Sequence, residues 1–485
     1  MRTGIIRWVG RGALLMALAV LLVFAVRVLD IQGEPALLPW HRFVPDELDE
    51  RALDQADWAA WMGAEAHVFD QVRQQVSERL EPEERVPANR YFPGSPLYPG
   101  HFHQDWNRSY VLRPEGEPVG AVVMLHGLTD SPYSLRHLAL RYRQAGFVVV
   151  GLRLPGHGTV PAALTDVSWQ QWLAATRLAV REARRLVGEP RPLRLVGYSN
   201  GGALALKYSL DALENPALPR AERLVLLSPM VGVAGYARFA GVAGWPAVFP
   251  AFAKAAWLDL LPEYNPFKYN SFPVNGARQS YLLTAALQEQ LQRASHRDGL
   301  SAMPPLLTFQ SVVDATVSTP AVVDGLYRLL PDNGSELVLF DINRSVDFGP
   351  LLRPEASLAL ARLLPPPPRN YRTAVVTNVT ASSREVVERV TEAGAREEWV
   401  TPLELTFPRE LFSLSHVAVP FPENDGLYGR RPDPADDFGI HLGDLSLRGE
   451  RGALVMDMGA LQRATSNPFF PYLLRRVEQT QGLAR

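Results

Sequence analysis

Cysteine is absent from the 485 residues. Its absence excludes disulfides, thiolate nucleophiles and cysteine metal sites, and the compartment cannot be read from cysteine pairing. Net charge is nearly absent as well: 49 Lys and Arg stand against 51 Asp and Glu, a formal balance of −2. The chain therefore shows no electrostatic footprint for a polyanion, and no nucleic-acid partner is expected. No internal repeat, no Gly-rich phosphate loop and no histidine/carboxylate spacing of a metal site occurs, so neither a cofactor nor a metal is expected. What is present is ordinary globular composition, 47% hydrophobic and 21% charged. Proline (41) and glycine (36) fall largely between periodic segments, as many loops require. The length is large for one compact domain, although an α/β domain with insertions reaches it.

The N-terminus reads as a membrane signal. Residues 12–26, GALLMALAVLLVFAV, carry no charge; Arg2, Arg7 and Arg11 precede them and Arg27 follows. Fifteen residues suit a signal-peptide core, and the stretch lengthens if Arg11 and Arg27 snorkel. No small-x-small cleavage site follows Val26. An uncleaved anchor is the first reading and a cleaved signal the second. Either way the basic flank stays in the cytoplasm, and the rest of the chain is expected outside it, on the periplasmic or extracellular side.

Residues 30–117 form a mixed extension in which 44–76 reads as one amphipathic helix. From about 118 short apolar runs alternate with helices: VGAVVMLHG, FVVVGLRLPGHG, PLRLVGYS and ERLVLLSPM as strands, with amphipathic segments between them. Near-continuous hydrophobic strands separated by helices describe a parallel sheet covered on both faces. Trp169 and Trp172, three residues apart on one such helix, read as core. Between about 231 and 302 aromatics, prolines and short helices break the rhythm. Alternation resumes at PPLLTFQSVVD and ends at SELVLFDIN. After about 345 come PPPP at 365–368, a strand (RTAVVTNVT), a helix (SREVVERVTEAGA) and a strand (PLELTFPREL).

The strongest motif is Gly197-Tyr198-Ser199-Asn200-Gly201, a G-x-S-x-G between a hydrophobic strand and a helix. A nucleophilic serine there must sit on a strained turn above the sheet edge. The residues two before and two after approach each other and must be small. The helix that begins there aims free N–H groups at developing negative charge. MLHGLTDSP, residues 124–132, follows the first confident strand and lets the chain turn at His126-Gly127. The expected oxyanion hole is the backbone N–H of Leu128 with that of Asn200. His126 itself is expected to fix the loop.

HG at 126–127, LRLPGHGTVP at 152–161 and GYSNGG at 197–202 resemble the α/β-hydrolase superfamily, above all its monoglyceride-lipase-like and carboxylesterase-like serine hydrolases. The resemblance covers about 118–345. It implies an α/β fold with a mostly parallel eight-stranded sheet, helices on both faces, a helical cap at about 231–302, and the chain order nucleophile, acid, histidine. It also makes His157 of PGHG a turn feature.

The acid is expected in the loop after the strand that resumes behind the cap, where Asp314 stands; Asp341 is the rival, and helix capping is the plain alternative for Asp314. The resemblance places the histidine shortly after the next strand, but Arg344-Ser345 follow Asn343 there. His296 lies in the cap and precedes Asp314. Only His416 and His441 remain downstream, and His416, in FSLSHVAVPFP directly after a strand-like segment, is the better candidate. An insertion at about 346–411, read as strand–helix–strand, must then separate the last family strand from the base, all within one domain over 118–485. The expected activity is hydrolysis of small-molecule acyl esters by Ser199, Asp314 and His416. An acyltransferase or aminopeptidase-type hydrolase with the same triad is the alternative, and a silent binding module is the reading from another class.

Overall fold

The computed structural model describes residues 33–232, 250–297, 299–346, 353–445 and 462–483, with a few isolated residues outside these spans. The expected anchor at 12–26 lies mostly outside the described residues, as does 233–246 of the expected cap. Among the described residues no helix is long and apolar enough to cross a membrane.

In chain order the strands are β1 (Tyr110–Leu112), β2 (Gly120–Leu125), β3 (Phe147–Leu152), β4 (Leu193–Tyr198), β5 (Arg223–Leu227), β6 (Trp257–Asp259), β7 (Phe272–Pro273), β8 (Leu306–Ser311), β9 (Glu336–Phe340), β10 (Arg372–Asn378), β11 (Glu385–Thr391) and β12 (Glu398–Thr406). The main sheet runs β1-β3-β2-β4-β5-β8-β9-β10-β11-β12, ten strands where eight were expected. From β3 to β10 every neighbour is parallel. β1 joins one edge antiparallel, β11 and β12 extend the other antiparallel, and β6 and β7 form a separate ribbon.

Alternate residues of each central strand enter two different cores. Ala121, Val123 and Leu125 of β2, with Leu224 and Leu226 of β5, face one. Val122 and Met124, with Val225 and Leu227, face the other. Helices α1 (Glu50–Gln55), α2 (Trp58–Gln75), α3 (Arg136–Gln144), α4 (Trp169–Val187), α5 (Asn200–Glu214), α6 (Val274–Ser295), α7 (Thr319–Gly325) and α8 (Phe470–Gln481) supply much of the cover. Trp172 of α4 is core, as expected, and Trp169 packs partly buried against it. The helix expected over 44–76 is two, because the Asp57 carboxylate accepts the Ala60 N–H at 2.8 Å and starts a new helix there.

The extension is tied to the sheet by charge. Arg153, which follows β3, is fully buried. It makes a forked pair with Glu47 at 2.6 and 3.0 Å and meets Glu65 of α2 at 2.9 Å. Glu65 also accepts from the Ser109 hydroxyl and backbone N–H, and Glu47 from the Gly156 N–H of the PGHG turn. Leu53 and Trp61 of the extension enter the main core.

The insertion differs from the expectation in one element. SREVVERVTEAGA is no helix; its central Glu385–Thr391 is β11, the middle of a three-stranded antiparallel meander. Val386 and Val390, both in the second core, are four residues apart, a spacing that lies on one face of a strand as well as of a helix. The charges of this segment form cross-strand pairs: Arg389 meets Glu398 at 2.7 Å and Arg372 meets Glu388 at 3.5 Å. With three valines, β-branching and the added sheet edge decide the state.

Replacing Arg153 by Met leaves two buried carboxylates uncompensated. We expect a loss of about 3–5 kcal/mol in urea unfolding, against less than about 0.5 kcal/mol for the exposed Arg51→Met. A loss under about 1 kcal/mol at Arg153 would show that the cluster does not hold the extension.

Candidate active site

Ser199 ends β4 and begins α5 in a conformation that L residues rarely adopt, φ 53° and ψ −114°. Its N–H donates to Leu227 O at 2.9 Å, and its carbonyl accepts from Met230 N–H at 3.0 Å, so both neighbouring segments hold the turn. The flanking glycines are required by contact. A Cβ at Gly201 would run into the Leu125 carbonyl, and one at Gly197 into the Gly201 carbonyl. One at Gly127 would stand 3.3 Å from the Ser199 Cβ, which brings the His126-Gly127 turn against the serine. Ser199 is only 7% exposed.

That turn continues into Leu128 and then Thr129, whose φ is 61°. Neither the Leu128 nor the Asn200 N–H is taken by an acceptor among the described residues. Two free N–H groups flanking a strained serine are what a tetrahedral oxyanion needs. His126 accepts the Leu154 N–H at 3.0 Å on one ring nitrogen, and its other lies 2.8 Å from Gly127 O. His157 sits against Pro155 O at 3.0 Å. Burial drives both rings well down the pH scale, His157 to about 3, so they are neutral loop supports.

Asp314 follows β8. Its carboxylate accepts the N–H groups of Thr316 at 2.8 Å and Val317 at 3.0 Å, and the Gln310 side chain at 3.2 Å. Capping does not account for it, since Ser318 caps α7. The remaining partner is His416: Nδ1 lies 2.8 Å from Asp314 Oδ2 across 102 residues. Burial raises the Asp314 carboxyl, but His416 and the two N–H donors outweigh it and hold it below its ordinary value. His416 is buried, its ring centroid stands 5.3 Å from that of Tyr198, and its carbonyl accepts the Tyr198 hydroxyl at 3.3 Å. Among the described residues, the His416 ring bonds Asp314 and makes no hydrogen bond to Ser199 Oγ. A cavity of about 750 Å³ opens against His416, Val313, Ala315, Leu414, Arg463 and Thr465.

The rivals are engaged elsewhere. Asp341 forms a forked pair with Arg344 and accepts from Thr377 of β10 at 2.9 Å. His441 sits 2.7 Å from Gly426 O.

The chain's return to the site has a visible anchor. Asn343, just after β9, donates its backbone N–H to Phe412 O at 2.7 Å and its side chain to Leu411 O at 3.0 Å. The segment carrying His416 is thus hooked to the point where the chain left for the meander. Beyond His416, Phe421, Tyr428 and Phe438 join Tyr133 and Phe267 in a small aromatic core, with Tyr133 stacked on Phe267 at 4.0 Å. Buried Asp425 fastens it, accepting from Tyr133 at 2.8 Å and meeting His137 at 2.8 Å and Arg136 at 3.2 Å. None of Asn343, Tyr198, Gln310 and Asp425 was expected at the site. Only Tyr198 had a local signal, its place inside G-x-S-x-G.

Residues 116–318 match the family model described as serine aminopeptidase, S33. A thermostable monoacylglycerol lipase of Bacillus sp. (strain H-257) is 27% identical over 225 residues, 46% of this chain and 81% of the relative. Phospholipase YtpA of Bacillus subtilis (strain 168) is 28% identical over 117 residues, 24% of this chain and 42% of the relative. Among solved structures, one from the work on the metagenome-derived lipolytic enzymes LipS and LipT is 23% identical with a TM-score of 0.39, covering 49% of this chain and 88% of that one. A soluble variant of Saccharomyces cerevisiae monoglyceride lipase is 14% identical with a TM-score of 0.37, covering 48% and 81%.

Two predictions follow from these contacts. Gly201→Ala should reduce the folded fraction and the activity together, because the Leu125 carbonyl cannot move away without breaking β2; an active, stable Ala variant would contradict the close approach. Burial raises the Asp425 carboxyl, but Arg136 and His137 outweigh it and hold it at about 2, below its ordinary 3.8. A depressed carboxyl stabilises the fold above its unfolded value and loses that contribution as pH falls through its folded value. Unfolding free energy should therefore drop between pH 3.8 and about 2, and the drop should be shallower in Asp425→Asn.

Proposed function

We infer that this chain, whose α/β-hydrolase domain is of the monoglyceride-lipase and esterase type, cleaves carboxylic esters through an acyl-enzyme on Ser199. The observation that carries the reading is the 2.8 Å His416–Asp314 contact next to a strained serine and two unclaimed N–H groups. The similarity to a monoacylglycerol lipase and a phospholipase supports esters as the substrate class.

In this reading His416 Nε2 takes the Ser199 hydroxyl proton as Oγ attacks the acyl carbon. The carbonyl oxygen becomes an oxyanion held by the N–H groups of Leu128 and Asn200. Asp314 fixes the imidazole tautomer and stabilises the imidazolium. His416 then gives its proton to the departing alkoxide. Water attacks the acyl-enzyme, loses its proton to His416, and the acid leaves as Ser199 recovers its hydrogen.

The family model's description supports a second reading, hydrolysis of an aminoacyl bond by the same groups. The charge-free run at 12–26 behind three arginines supports export with an N-terminal anchor. A protease-protection assay on membrane vesicles checks the export: a domain digested from the cytoplasmic side would exclude it.

A fluorophosphonate probe should label the protein, and Ser199→Ala should abolish labelling. Asp314→Asn should lower kcat on p-nitrophenyl butyrate by roughly 10⁴-fold and His416→Ala by at least that much, with His441→Ala near wild type. Equal labelling of Ser199→Ala would end the hydrolase reading. Faster release from amino-acid p-nitroanilides than from any ester would favour the aminopeptidase reading.

A further inference from the structure

Most cations around the site are neutralised by contact. Arg136 meets Asp425 and Asp436, Arg344 meets Asp341, and Arg430 meets Glu423 and Glu410. Two are different. Among the described residues neither Lys268 nor Arg463 has a carboxylate within 4.0 Å, and the Lys268 ammonium has no hydrogen-bond partner.

They approach the site from two sides. Lys268 precedes Tyr269, whose N–H donates to Thr129 O at 2.7 Å, so the lysine stands beside the turn that offers the Leu128 N–H. Its flanking residues Phe267 and Tyr269 are buried, and Phe267 is stacked on Tyr133, so the backbone there is fixed. Arg463 donates to Thr316 Oγ1 at 2.8 Å, and Thr316 donates its N–H to Asp314. The guanidinium also lines the cavity that opens against His416. Burial depresses the Lys268 ammonium, Asp130 supports it, and Arg463 opposes it. Asp130 offsets part of this charge from a distance: burial raises its carboxyl to about 6 despite Lys268, and it is still largely ionised at neutral pH.

We propose that Lys268 and Arg463 form a cationic clamp for an anionic group, a carboxylate or a phosphate, carried by the ester substrate. This rests on the serine-hydrolase reading above. Among the described residues, folding has left two cations flanking Ser199 and His416 without a carboxylate contact. An anion between them would relieve their mutual repulsion and complete their hydrogen bonding. The clamp would select the substrate by charge and leave the acyl chemistry to the triad.

The test compares matched esters. On the acyl side, p-nitrophenyl hexanoate is paired with the mono-p-nitrophenyl ester of adipic acid. On the alcohol side, a butyrate ester of glycerol is paired with that of glycerol phosphate. Wild type should favour the anionic member of one pair by about tenfold in kcat/KM, and the favoured pair locates the anion on the acyl or the alcohol side. Lys268→Met and Arg463→Met should each bring that ratio towards unity, chiefly through KM, and Lys268→Arg should restore it. Added salt should raise KM for the anionic ester alone. A wild-type ratio of one or below in both pairs, or a ratio that neither Met variant changes, would overturn the clamp while leaving the hydrolase standing. Absence of hydrolysis of all four esters together with absence of fluorophosphonate labelling would instead remove the hydrolase reading itself.

Discussion

One hydrogen bond organises the second half of this molecule: His416 Nδ1 to Asp314 Oδ2 at 2.8 Å, across 102 residues. Every element between those residues must be compatible with the chain's return. The meander β10–β12 meets that demand by extending the sheet sideways, so it lengthens the chain path without moving its end points apart. Asn343 then closes the detour by binding Leu411 and Phe412. Closing a loop of this length costs little more entropy than a short one, since the cost grows only with the logarithm of length. The cost is met by packing: Val386 and Val390 enter the second core, and Glu336 of β9 pairs with Arg372 of β10 and Arg476 of α8.

The proposed base is held from both directions. On its N-terminal side the Asn343 hook sets where the loop begins. On its C-terminal side the aromatic core around Tyr133, with Asp425 against Arg136 and His137, locks the following turns to the segment after the His126-Gly127 turn. The serine turn, the His126-Gly127 turn and the histidine loop thus share neighbours: a Cβ on Gly127 would meet Ser199, Tyr133 binds Asp425, and the Tyr198 hydroxyl binds the His416 carbonyl. Preorganisation of this kind is what an acyl-transfer site requires, because donors fixed before the reaction need no rearrangement during it.

What was legible in the sequence follows the range of the interaction that fixes it. Ser199 and its glycines were readable because a strained turn demands small residues two positions away on either side. Asp314 was readable because a strand end precedes it and a helix follows. The parallel sheet was readable because strands buried on both faces lose their polar alternation. His416 could be reached only by elimination, since its partners lie far away in the chain and nothing local marks it. The Asn343 hook, the Asp425 cluster and the placing of Lys268 and Arg463 were not readable at all, because each joins segments that meet only after folding. β11 was misread for a narrower reason: Val386 and Val390 satisfy both the strand and the helix period, and only the neighbouring edge of β10 distinguishes them.

The central claim is that the late-arriving His416 serves Ser199. It is tested most directly by a crystal structure of the protein after reaction with an alkyl phosphonate. The account predicts a covalent bond at Ser199 Oγ, His416 Nε2 within about 2.6–3.2 Å of that oxygen, and the phosphonyl oxygen facing the N–H groups of Leu128 and Asn200. A phosphonylated serine with His416 still bound to Asp314 but turned away, or with another histidine in its place, would contradict it.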